Sequence, residues 1–136
     1  MSDYIEYLLK NKAQYIEHLK EFISIPSISS LAEHHNDVNR AALWVKSRLL
    51  DAGLENVAVM ETGGLPAVYG DWNHAGSDKP TILIYGHFDV QPVDPLNLWH
   101  SDPFMPVIID DKIFGRGASD DKGSMLTPIL AAESFL

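Results

Sequence analysis

The apolar residues change period along the chain. Ile5, Leu8, Leu9, Ile16, Leu19 and Ile23 fall on one broad stripe of an α-helix. Asp3 with Glu6 has the form of a capping box at its start. The helix should stop before Pro26, because the residue preceding a proline resists helical torsions. Ser27 to Asn36 is polar and predicts a loop. A second helix follows, capped by Asn36 or Asp37, with Val38, Ala41, Val45 and Leu49 turned inward. Gly53 is placed to close it as the C′ residue.

Beyond Gly53 the pattern shortens. Val57 to Met60 and Ala67 to Asp71 predict short strands, and Trp72 to Lys79 a polar turn. Thr81 to Tyr85 is a continuous β-prone run, as expected of a strand buried on both faces. Val107 to Asp110 and Lys112 to Phe114 predict a hairpin across Asp110-Asp111. Gly123 to Leu136 reads as a helix with no C-cap, no stop signal and apolar Phe135-Leu136 at its end. The chain is therefore expected to be the N-terminal part of something longer. Helices, strands and a helix in this order predict an α/β sheet covered by helices. No internal repeat or low-complexity segment is visible.

Composition narrows the chemistry. A chain of 136 residues with 46% hydrophobic content suits one domain with a modest core. No apolar stretch reaches the roughly 18 residues of a membrane span, and Met1-Ser2-Asp3-Tyr4 lacks the layout of a signal peptide. With no cysteine, thiolate metal sites and a cysteine nucleophile are excluded. A cytoplasmic location is the expectation. The formal charge of −9 disfavours nucleic acid and anionic membranes as partners. Solubility is its plain use; holding a divalent cation is another.

Two segments could carry chemistry. In Gly86-His87-Phe88-Asp89-Val90, the i, i+2 spacing turns His87 and Asp89 the same way in extended backbone. Such a pair suits a histidine ligand with a carboxylate to orient it. Taken alone, it reads more readily as a core histidine bonded to an acid. In Gly115-Arg116-Gly117-Ala118-Ser119-Asp120-Asp121-Lys122-Gly123, glycines let the backbone bend around a carboxylate pair. A carboxylate there can bridge two metal ions about 3.5–4 Å apart, or Asp120 or Ser119 can cap the last helix. Lys122 reads as a surface or local charge partner. Arg116 suits an anion or a structural pairing, and the Trp99, Asp102, Pro103, Phe104 segment a packed loop. Neither a nucleophile elbow nor a phosphate loop is present.

Taken jointly, these residues resemble the M20 family of zinc metallopeptidases. The likeness runs through Tyr85-Gly86-His87-Phe88-Asp89-Val90-Gln91-Pro92, Leu98-Trp99 and Ser101-Asp102-Pro103-Phe104. It continues through Asp111-Lys112-Ile113-Phe114 and the whole Gly115 to Gly123 segment. The helices and the Ile25-Pro26-Ser27 step look like the family too. The resemblance implies a zinc-exopeptidase-type mixed sheet flanked by helices. Residues 1–136 would be the N-terminal portion of one catalytic domain, without its remainder or the smaller dimerisation domain that makes the full-length protein a homodimer. It implies that His87 binds one zinc, that Asp120 bridges two, and that Asp89 is the catalytic-site carboxylate holding the His87 tautomer. Mn²⁺ or Co²⁺ could replace Zn²⁺. Asp121 matches the motif without binding metal. The general-base glutamate and the remaining ligands would lie downstream, and Glu133 should not take that role.

The implied reaction is metal-assisted cleavage of dipeptides or short peptides, with the chain inactive by itself. The Asp-Asp-Lys-Gly ending and the His-Phe-Asp-Val-Gln-Pro form look most like the dipeptidase and carnosinase-like branch. An N-acyl amino acid deacylase, of desuccinylase or deacetylase type, is the alternative. A non-catalytic module of the same fold is another. A site in which Asp120 and Asp121 hold Mg²⁺ or Ca²⁺ is a further one, which the pairing with His87 disfavours.

Overall fold

The computed structural model describes residues 3–136. Helix α1 spans Asp3–Ile23, with Asp3 and Glu6 in its first turn, where carboxylates complement the helix dipole. Its inner end buries Phe22 and Ile23 completely. Helix α2 spans His35–Asp51 and buries Val38, Ala41, Ala42 and Val45. It begins before the expected Asn36 or Asp37 cap. The Asp37 carboxylate instead binds His34 Nδ1 at 2.9 Å and accepts from Arg40 at 2.7 Å. Gly53 closes α2 at φ +84°. Leu54 N–H donates to the Leu49 carbonyl and Gly53 N–H to that of Leu50, the paired bonds that satisfy a helix's last carbonyls.

Strands β1 (Glu55–Met60) and β2 (Ala67–Asp71) form an antiparallel pair, with Val59 opposite Val68 and Met60 opposite Ala67. Its register shifts between Glu55 and Ala58, where Asn56 takes a positive φ. The hairpin β3 (Val107–Ile109) and β4 (Lys112–Phe114) turns across Asp110 and Asp111 as expected. Helix α3 spans Lys122–Phe135. Asp121 occupies its N-cap position without a side-chain capping bond, so neither Asp120 nor Ser119 caps it.

The core gathers Phe22, Ile25, Ala41, Val45, Ala52, Leu126 and Ile129. Phe22 stacks on Trp44 with ring centroids 4.2 Å apart. At α1's outer side, Tyr7 and Tyr15 each donate a hydroxyl hydrogen bond to Glu133 Oε1 at 3.0 Å. Glu133 is therefore committed to joining α1 and α3. The mixed α/β character is as expected, and the described residues form two separate two-stranded ladders.

One expectation fails. Thr81 to Tyr85 is neither paired nor buried; Ile82 is 80% and Leu83 89% exposed. A strand is buried on both faces only when a sheet and covering layers exist around it. No neighbouring strand pairs with this run among the described residues.

Candidate metal centre

The segment after that run is held by contacts from two distant parts of the chain. On one side the Pro26 turn supplies them. Val90 N–H donates to the Ser27 carbonyl at 2.9 Å, and Ile28 and Val90 form a parallel bridge. Ser27, fully buried, donates its hydroxyl to the Phe88 carbonyl at 2.6 Å. The polar stretch read as a loop is thus a clasp on residues 88–90. Ser29 adds a hydrogen bond to Asp89 Oδ2 at 2.5 Å.

On the other side stands the carboxylate pair. Asp121 Oδ2 accepts from the His87 backbone N–H at 3.0 Å. Gly86 makes this approach possible: a Cβ there would lie 2.6 Å from Met125 Cβ and 3.0 Å from Asp121 Oδ2. Lys122 is the clearest departure from expectation. It is fully buried, with Nζ donating to the Phe22 carbonyl at 2.8 Å and the Ile25 carbonyl at 2.6 Å. Its ammonium also lies 5.1 Å from the Phe22 ring centroid. A charged side chain can be buried here because carbonyls at the end of α1 need donors and favour a cation. Burial pushes its pKa down to about 7.

These supports bring His87, Asp89 and Asp120 together. His87 Nδ1 faces Asp89 Oδ1 at 3.1 Å and the Asp89 carbonyl at 3.2 Å. Both acceptors favour the proton on Nδ1, while a carboxylate beside Nε2 draws a proton there in the metal-free ring. Nε2 points at Asp120 Oδ1, 3.1 Å away. Asp120 is exposed, so its carboxylate is open to further partners. Burial works to lower the His87 pKa. Hydrogen bonding to the Asp89 backbone and the charges of Asp89, Asp121 and Asp120 outweigh it and raise the pKa above its ordinary value.

An imidazole Nε2 and a carboxylate oxygen on one spot match the donor set of hydrolytic metal centres. No group of three His, Asp or Glu side chains that could hold a metal occurs among the described residues. The residues present therefore fit part of such a centre. Other candidates are placed elsewhere. His34 binds Asp37, His74 lies 2.9 Å from Glu55, and His18 lies beside Arg48. Arg116 is structural: it donates to the Pro92 carbonyl at 3.0 Å and sits over the Trp99 ring.

Sequence reasoning singled out His87, Asp89 and Asp120, which the fold brings together. It missed Ser27, Ser29 and the buried anchor Lys122. No local signal marked the serines: Ser27 and Ile28 are both buried, so their burial follows no alternation along the chain.

A histidine oriented by an acid, next to a glycine-flanked carboxylate on an α/β frame, has the donor pattern of hydrolytic metal centres. Residues 83–136 match Peptidase family M20/M25/M40. A succinyl-diaminopimelate desuccinylase from Shewanella piezotolerans is 36% identical over 93% of this chain and 30% of its own length. Human carnosine dipeptidase 1 superposes with a TM-score of 0.89 at 28% identity, over 98% of this chain and 30% of that one. An M20 family metallo-carboxypeptidase from Sulfolobus solfataricus gives 0.79 at 36% identity, over 88% and 26%. Over residues 83–136 the chain is similar to the M20 peptidase family. It spans about a third or less of the length of these relatives.

No helix among the described residues is long and apolar enough to cross a membrane.

Proposed function

We propose that this chain is the N-terminal portion of the catalytic domain of a metal-dependent amide hydrolase, with His87 and Asp120 as metal ligands and Asp89 orienting His87. The observation that carries the reading is the convergence of His87 Nε2 and Asp120 Oδ1 with Nδ1 turned onto Asp89. Zinc suits this nitrogen and oxygen pair, and Mn²⁺ or Co²⁺ shares the preference. A pair of bound ions would supply a nucleophile near neutral pH and polarise the scissile carbonyl.

The residues of this chain do the holding and aiming. Asp89 keeps the Nδ1 proton in place, so that Nε2 offers its lone pair. Asp120 has a second oxygen beyond the one facing His87, which suits a bridging ligand. Asp121 fixes the backbone of His87 and takes no part in ligation. The general base and remaining ligands are assigned to the part of the protein outside these residues, and the chain by itself is expected to be inactive.

Dipeptides or short peptides in the cytoplasm are the proposed substrates, supported by the likeness to human carnosine dipeptidase 1. An N-acyl amino acid deacylase is the second reading, favoured by the identity to a succinyl-diaminopimelate desuccinylase. Zinc calorimetry on the full-length protein tests the site: His87→Ala and Asp120→Ala should each weaken binding by about tenfold or more. Zinc binding unchanged by both substitutions would overturn the assignment. Assaying the full-length protein on dipeptides against N-succinyl and N-acetyl amino acids then separates the two substrate readings.

A further inference from the structure

We infer that Ser29 is a positioning residue: its hydroxyl fixes the Asp89 carboxylate, and through it the tautomer and aim of the His87 imidazole. The significance for metal binding rests on reading His87 as a ligand.

The terminal torsion of an aspartate is broad, so a carboxylate held at one oxygen can swing. Asp89 is held at both. Ser29 Oγ donates to Oδ2 at 2.5 Å, and Oδ1 faces His87 Nδ1 at 3.1 Å. The Asp89 side chain is 37% exposed, so packing alone does not lock it. Ser29 is itself anchored, because its neighbours Ser27 and Ile28 are joined to residues 88–90 by main-chain bonds. Ser27 reaches only backbone. Ser29 alone in the clasp reaches the side chain that orients the histidine. The Asp89 carbonyl also faces Nδ1, at 3.2 Å, but it lacks the carboxylate's charge. Losing Ser29 should therefore weaken the tautomer preference without abolishing it.

Nitrogen-detected NMR of the His87 ring reads the tautomer directly in the metal-free Asp120→Ala chain above its titration range, where no carboxylate competes at Nε2. With Ser29 intact, that background should hold the proton mainly on Nδ1. Ser29→Ala should lower the ratio of the two tautomers severalfold, and Ser29→Thr, which keeps the hydroxyl, should restore it. Ser27→Ala is the control, since it loosens the same clasp without touching Asp89; it should leave the ratio near that of the Asp120→Ala background. An unchanged ratio in Ser29→Ala overturns the inference. So does an equal shift in Ser27→Ala, which would make the effect general loosening. Zinc affinity of the full-length protein, measured separately, should fall severalfold in Ser29→Ala, less than the roughly tenfold loss on removing the group directly behind a metal ligand. If the Nδ1 tautomer depends on Ser29 but the full-length protein binds no zinc, the metal reading fails and the positioning role stands.

Discussion

Three consecutive residues, Asp120, Asp121 and Lys122, show how little residue type says about role. Asp120 is exposed beside His87 Nε2. Asp121 faces inward and holds the His87 backbone. Lys122 is buried against the end of α1. Asp121→Ala removes the acceptor for the His87 N–H and should cost about 1–3 kcal/mol. Asp121→Asn keeps an oxygen there and should cost less. Urea unfolding of both variants checks this, and equal losses would mean that charge, not the acceptor, holds the segment. Lys122 makes a pH prediction. Burial lowers its pKa from 10.5 to about 7, so the folded value lies below the unfolded one. Below about pH 7 the charged amine is buried at full cost. As pH rises from about 7 towards 10.5, the unfolded chain holds more protons and the cost is released. Wild type should therefore gain stability relative to Lys122→Met between about pH 6.5 and 9.5. A difference that stays constant across that range would show that Lys122 titrates alike in both states.

At the scale of elements, local signals carried most of the expected structure. The stripe on α1, the inward face of α2 and the Gly53 closure all follow from contacts within a few residues. So does the β3–β4 hairpin, whose turn residues Asp110 and Asp111 have φ of 50° and 59°. Two positive φ values define the turn that matches strand twist, and glycine takes its second position with least strain. Asp111→Gly should accordingly stabilise the hairpin by about half a kcal/mol, the relieved strain exceeding glycine's entropic cost. Thermal unfolding would show it as a raised Tm, and a lowered one would mean that the Asp111 side chain contributes more than its strain costs. The start of α3 was less legible. Its capping residues were misplaced because Asp121 is drawn to the His87 backbone, a partner far away in sequence.

For the whole molecule, the exposed run from Ile82 to Tyr85 is the dominant surface feature. Consecutive apolar residues on an unpaired extended backbone offer hydrogen bonds and apolar area to any matching strand. The 136-residue chain should self-associate as its concentration rises, despite a formal charge of −9. Leu83→Lys should suppress that association in sedimentation experiments. Because Leu83 is 89% exposed, it should change unfolding stability by no more than about 0.5 kcal/mol. Association that persists unchanged in this variant would place the contact elsewhere, for example on the exposed Leu9 or Phe135.

The sequence by itself determined the helices, the short strands and the Asp110-Asp111 hairpin, and through the family resemblance it singled out the candidate trio His87, Asp89 and Asp120. The elements depend on periodicity and turn chemistry, which act between near neighbours. Tertiary structure decided what aims the trio. Ser27 and Ser29 reach residues 88 and 89 across long stretches of chain, and Lys122 reaches back to Phe22 and Ile25. It also decided that Thr81 to Tyr85 stands open. Burial belongs to the neighbours a segment meets in space, so hydrophobic character in a run can call for partners but cannot supply them.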